Sequence, residues 1–473
     1  MLSEQQKIAH LLRRFGFGAS EAELAYYGQG GLPGAIDKLL DYESVEEGFS
    51  VDPNSLANAK NNKLKIEAVQ EWWLMRMITS RRPLQEKMTL FWHNHFATSS
   101  DKVTSPYMML TQNQIFRSGA TGKFQDLLMN VSKDPAMLLW LDNQYNVKGH
   151  PNENFAREVM ELFTLGIGHY TEHDIQESAR AFTGWGFGVA GGAKRKRKQT
   201  TQKKPARNQV FLDNAAKHDE GVKEFLGNKG NFDGDDILGI LCSNPQCARF
   251  ITSKLWSWFA YPNPEDSLVQ RLAEPFYRDG LDIKKLLRAI MESPEFYSDR
   301  AYRSLYKNPV DFAVTAVRQL GFGEQALTDD NFRSDVKPAT ALRIATKGMG
   351  MNLFWPPDVS GWKGGSEWVS TGTIVERIRL AQVLFEQAEV AVKNRKFTMG
   401  TQAYNLFAQD PSPEGVARRL VSILDANLPA AKLTELTRAA HESSGGRVTP
   451  ENANATASAV TRLIFASPEF QFC

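Results

Sequence analysis

The stretch FWHNHFAT (91–98) sets two imidazoles, His93 and His95, one residue apart among aromatic neighbours. Imidazole nitrogens bind divalent metals and exchange protons near neutral pH, so the stretch raises three readings: a metal site, a nuclease signature, or hydrogen-bonded packing. On a helix over 84–97, at about 100° per residue, Leu84, Met88, Phe91, Trp92 and His95 share one face and His95 points inward. His93 then lies about 200° from His95, so the two cannot chelate one ion as an i,i+4 pair could. The nuclease signature also fails, because its residues are scattered over a longer ββα unit rather than standing side by side. For each histidine alone, a hydrogen-bonded core or surface position is the default.

A second constellation is PNENFAREVMEL (151–162). On a helix, Asn154, Arg157, Glu158 and Glu161 share one face, and Phe155, Val159, Leu162 and Phe163 form the apolar side. One reading is a solvated face with an Arg157–Glu161 pair at i,i+4. The other is a carboxylate pair, Glu158 and Glu161 at i,i+3, that binds a divalent ion or shares a proton. Two further pieces could complete a site. KHDEGVK (217–223) offers His218 and Asp219 near a turn, and FWPPDVSGW (354–362) is a stiff aromatic loop. Trp185, Trp355 and Trp362 would form a stacking wall for a substrate, or else pin long connections to the core.

Helical periodicity dominates the elements that must position these residues, and strand signals are confined to short pieces at 184–212. Ser20-Glu-Ala-Glu23 has the form of a capping box and Thr171-Glu-His-Asp174 is a weaker one. An apolar helix end followed by Ser, Asp or Asn and then Pro recurs at 127–135, 237–245, 286–294 and 462–468, each predicting a corner between helices. Two of these continue as Pro294-Glu-Phe296 and Pro468-Glu-Phe470, an internal echo without solenoid spacing. The expected fold is a mainly α, multi-helix globular bundle with at most a short β-hairpin. It divides into a main domain over 1–395, interrupted by a basic loop at about 188–209, and a C-terminal helical extension over 396–473.

The 473 residues, 42% hydrophobic and 23% charged, are those of an ordinary globular chain, and the net charge of +2 selects neither nucleic acid nor membrane as partner. Only the block Lys194-Arg-Lys-Arg-Lys198, with Lys203, Lys204 and Arg207, is strongly basic, and such a run is usually a solvated loop. Three cysteines, Cys242, Cys247 and Cys473, are too few for a disulfide framework. No apolar run approaches the length of about 18 residues that a membrane span requires, and none at the start has signal length. The expectation is a cytoplasmic protein. Phosphate loops, dinucleotide fingerprints, flavin signatures, nucleophile elbows and haem attachment sites are missing from the sequence.

Several segments, in order, resemble the bacterial family known as domain of unknown function 1800: HLLRRFGFG (10–18), LFWHNHFATS (90–99), DPAMLLWLDN (134–143), NENFAREVMELFTLGIGHYTEHDI (152–175), ARAFTGWGF (179–187), KHDEGVKEFLG (217–227), SPEFY (293–297) and PPDVSGWKGGSEW (356–368). The resemblance implies that His93, His95, Asn152, Glu153, Asn154, Arg157, Glu158, Glu161, Thr183, Gly184, Trp185, His218, Asp219, Gly361 and Trp362 occupy recurring motif positions. It also implies a periplasmic or extracellular setting for many relatives, histidine in many of them where this chain has Phe163, and an inserted Lys194–Lys204 block. It assigns no reaction.

Two functions follow as expectations. In the first, the protein is a metal-dependent enzyme, hydrolase or oxidoreductase, whose divalent ion is held by Glu158, Glu161 and one or more of His93, His95 and His218. Asn154, Arg157 and Asp219 would support that site. In the second, it is a non-enzymatic helical binding or assembly protein with a structural Arg/Glu network and a small-molecule or protein partner. A nucleic-acid role would rest on the basic block alone.

Overall fold

The computed structural model describes residues 2–58, 63–189, 209–323, 338–386 and 403–473. Helices begin where side chains satisfy their free amides. The Glu23 N–H donates to Ser20 Oγ at 3.2 Å and the Ser20 N–H donates to the Glu23 carboxylate at 2.9 Å. Thr171 and Asp174 repeat that exchange at the start of Glu172–Ala181. At the predicted corners, Asp134 caps Pro135–Trp140 and Asn244 caps Pro245–Phe259, with proline in the first turn, where its missing N–H costs nothing. Both Pro-Glu-Phe echoes are short 3-10 turns, Pro294–Tyr297 and Pro468–Gln471, that bury Phe296 and Phe470.

Among the described residues the strands form two small antiparallel sheets, one more than expected. Strand β1 (Trp185–Val189) pairs with β2 (Gln209–Asp213), Trp185 opposite Asp213 and Val189 opposite Gln209. The basic block between them lies outside the described residues. The unforeseen hairpin joins β3 (Lys223–Phe225) to β4 (Asn228–Gly230). Its two turn residues, Leu226 and Gly227, both have positive φ, 48° and 75°, the backbone a tight hairpin requires. Leucine rarely adopts it, so local sequence did not signal the turn. A tertiary contact holds it: the Leu226 N–H donates to Asp174 at 2.7 Å.

The buried residues fall into two large clusters. One unites the first helices with the segments around Phe155–Leu165 and Ile237–Phe296. The other unites Ile66–Thr79, Pro309–Gln319, Thr371–Phe385 and the helices Pro413–Ile423, Ala430–Ser444 and Ala453–Ala466. The expected 395/396 boundary lies outside the described residues.

The helix Pro83–His95 sits between the clusters, giving Leu84, Met88, Phe91 and Trp92 to the first and Leu90 to the second. It is therefore enclosed nearly all round, and even Glu86 and Lys87 are buried. Among the described residues no helix is long and apolar enough to cross a membrane.

Candidate functional site

Burial on both sides of the Pro83–His95 helix decides what its histidines do. The backbone N–H of Phe354 donates to His93 Nε2 at 3.0 Å, which assigns the ring proton to Nδ1. His95 faces the other way, its Nε2 3.2 Å from the carbonyl oxygen of Phe163, so there Nε2 carries the proton. Each leaves a buried Nδ1 without a partner among the described residues. Aromatic rings surround both: Trp73, Phe354 and Trp362 around His93, and Phe91, Trp92 and Phe96 around His95. Burial pushes both pKa values down to about 3, with Lys254 adding to the effect at His95, so both rings are neutral at pH 7. Phe163 stands where the resemblance implies histidine, and its ring centroid is 6.0 Å from that of His95.

The acidic segment departs from a single α-helix. Asn154–Glu158 is α-helical, but Val159–Thr164 widens into a π-helix. The expected Arg157–Glu161 pair does not form. Arg157 instead grips both oxygens of Glu172 at 2.9 Å and touches Glu153 at 3.3 Å. Glu161 accepts the Tyr170 hydroxyl at 2.6 Å. Glu158 is half-buried and has no hydrogen-bond or ion-pair partner among the described residues; burial, and then the Glu161 charge, raise its pKa above the usual carboxylate range. π-turns within helices are frequent at functional sites.

The TGW and HD segments lock to each other. His218 Nδ1 lies 2.9 Å from the Thr183 carbonyl oxygen, and the Asp219 N–H donates to Thr183 Oγ1 at 2.8 Å. Arg180 donates to both Asp219 oxygens, at 2.9 and 3.3 Å, and holds that carboxyl down to about 2. Gly184, at φ 87°, passes so close that a Cβ there would lie 2.7 Å from the Asn214 carbonyl oxygen. Trp185 packs at this junction against Phe182 and Phe211, in the first cluster. Trp355 and Trp362 pack in the second.

All five proposed ligands, His93, His95, Glu158, Glu161 and His218, are described. Among the described residues no group of three or more His, Cys, Asp or Glu side chains is placed to hold a metal ion together. The model of the family "Protein of unknown function (DUF1800)" matches residues 10–472, nearly the whole chain. The chain belongs to the DUF1800 family. No curated protein and no solved structure matches it.

Within this DUF1800 chain, the residue that sequence reasoning passed over is the one between the histidines. Asn94 Oδ1 accepts the Trp362 N–H at 2.7 Å, so consecutive residues of one helix clamp the two ends of the loop 354–362. Gly361, at φ 84°, lies against Asn94; a Cβ there would come within 2.5 Å of two Asn94 oxygens. Gln70 pins the stem of the loop through Asn352 and Leu353, at 2.9 and 2.7 Å. Also missed was the charge buried on the same helix. Glu86 accepts from Arg76 at 2.8 Å, from Arg117 at 2.6 and 2.9 Å, and from Trp73 at 2.9 Å, whereas Lys87 pairs with Asp311. The signal in the sequence was an acid–base pair, Glu86 and Lys87, in a helix that also carries Leu84, Met88, Leu90, Phe91 and Trp92.

Proposed function

We propose that this DUF1800 protein is a non-enzymatic helical binding protein whose recurring polar residues hold its segments in register. One observation carries the reading: His93, Asn94, Arg157, Thr183, His218 and Asp219 each join segments that are distant in the chain or meet at a bend. The buried Glu86 with its two arginines extends the same pattern, and removing one member of such a network costs roughly 3–5 kcal/mol. The expected structural Arg/Glu network is thus centred on Glu86 in this reading rather than on Arg157, Glu158 and Glu161. Its partner would be a small molecule or a protein.

A second reading, a metal-dependent enzyme, is favoured by one feature: Glu158 keeps both oxygens without a partner among the described residues, beside Glu161, at the start of a π-turn. There the two carboxylates would bind a divalent ion, with substrate or water filling the remaining positions. Elemental mass spectrometry on untagged protein and its Glu158→Gln variant separates the two. The binding reading expects the same metal content in both; a near-stoichiometric ion in the parent that a well-folded variant loses would overturn it.

A further inference from the structure

Beside the Trp362 loop lies a cavity of about 110 Å³, large enough for a molecule of only a few non-hydrogen atoms. Its walls include Arg14, Lys87, Asn94, Asp311, Trp362 and Trp368. None of these belongs to the acidic segment, and of them only Asn94 also serves the first reading above.

Charge on the walls is unbalanced. Lys87 is paired with Asp311, whose other oxygen accepts Asn308 Nδ2 at 2.8 Å, so that carboxylate is fully engaged. Arg14, only 2% exposed, donates to the carbonyls of Ala260 and Ala301 at 3.2 and 2.5 Å, to Ser304 Oγ at 3.2 Å and to Cys473 Sγ at 3.8 Å, and among the described residues forms no ion pair with an Asp or Glu side chain. Its Nε is buried without a partner among the described residues. Lys307 adds a second cation lacking an Asp or Glu partner among the described residues; it is 4% exposed, its ammonium 3.5 Å from the centre of the Phe470 ring, and its chain neighbours Tyr306 and Asn308 line the cavity. Buried charge without a counter-charge is costly, and the indole walls lower the local dielectric and raise that cost.

Asn94 supplies direction. Because its Oδ1 must accept the Trp362 N–H, its amide Nδ2 is the group left over, and among the described residues that donor has no partner. Cations and an amide donor line the space, and the one Asp or Glu side chain on its walls, Asp311, is occupied. From this convergence we infer that the cavity binds a small oxyanion, either a short carboxylic acid or an inorganic ion of the phosphate or sulfate type, against Arg14 and Asn94.

The test is calorimetric titration of the full chain with phosphate, sulfate and acetate separately, at constant ionic strength in a buffer free of other small oxyanions. The Asn94→Asp variant is titrated alongside. Aspartate keeps an oxygen for the Trp362 N–H, so the fold is retained, but it sets a negative charge where the ligand would sit. Saturable one-to-one binding by the parent, weakened about a hundredfold in the variant, is expected. Saturation by phosphate or sulfate alone identifies an inorganic ion, and saturation by acetate alone a carboxylic acid. Absence of saturable binding by the folded parent overturns the inference, as does undiminished binding by Asn94→Asp.

Discussion

The backbone N–H of Phe354 donates to Nε2 of His93 at 3.0 Å across a separation of 261 residues in the chain. This bond converts a histidine that reads as a metal ligand or an acid–base group into an acceptor that holds a loop. Replacing it by the similarly shaped His93→Phe leaves a buried N–H unpaired, at a cost of about 1–3 kcal/mol. Chemical denaturation should show that loss, and amide exchange at Phe354 should quicken more than exchange across the remote hairpin β3–β4.

Acidification should destabilise the protein through its buried imidazoles. His10 is lowered to about 2 and His93 and His95 to about 3, chiefly by burial, from an ordinary value of 6.5. A depressed folded-state pKa means the unfolded chain binds the extra proton first, so the stability is complete above 6.5 and is lost as pH falls toward about 3. Asp134 acts in the opposite sense. Burial raises it from 3.8 to about 7, so its contribution favours the folded state at low pH and disappears as pH rises through that window. Three histidines against one aspartate predict a net fall in thermal midpoint between about pH 6.5 and pH 4, and a shallower fall in His93→Phe.

Glu86→Gln tests the buried network. Burial alone would raise the Glu86 carboxyl, but Arg117 and Arg76 outweigh it and hold the group below the usual carboxylate range. Neutralising it leaves Arg117 without its counter-charge and Arg76 with Glu47 alone, an expected loss of roughly 3–5 kcal/mol in denaturant unfolding. The indole of Trp73, bonded to the same carboxylate at 2.9 Å, offers a fluorescence signal for the change.

Gly184→Ala should break the junction between the TGW and HD segments. At φ 87° a side chain is strained, and the added Cβ would meet the Asn214 carbonyl oxygen at 2.7 Å. A loss of about 1–3 kcal/mol is expected, read as a lower thermal midpoint. Gly149→Ala is the control: its φ of 82° is similar, but nothing lies within 4 Å of the added carbon, so it should cost less.

Much of this architecture was legible before any coordinates. The capping boxes at Ser20 and Thr171 and the proline corners at Pro135 and Pro245 depend on contacts within a few residues, and those the chain carries locally; the first hairpin after Gly184 was legible from its strand pattern although its ends, Trp185 and Asp213, lie far apart in the chain. Family membership was legible too, because the motifs stand in order along the chain. What remained hidden depends on partners far away in sequence. Periodicity assigned His95 to a buried face, but it could not show that His93 is buried as well, since the wall around it joins Trp73 to Phe354 and Trp362, which come from far along the chain. Spacing on an ideal helix paired Arg157 with Glu161, whereas the π-turn and Glu172 redirected the arginine. Asn94 carried no signal of its own; its role exists only because the Trp362 loop returns to it. Local hydrogen bonds and periodicity thus determined the helices, while the pairing of buried polar groups, a matter of which distant segment excludes water from them, was decided by tertiary packing alone.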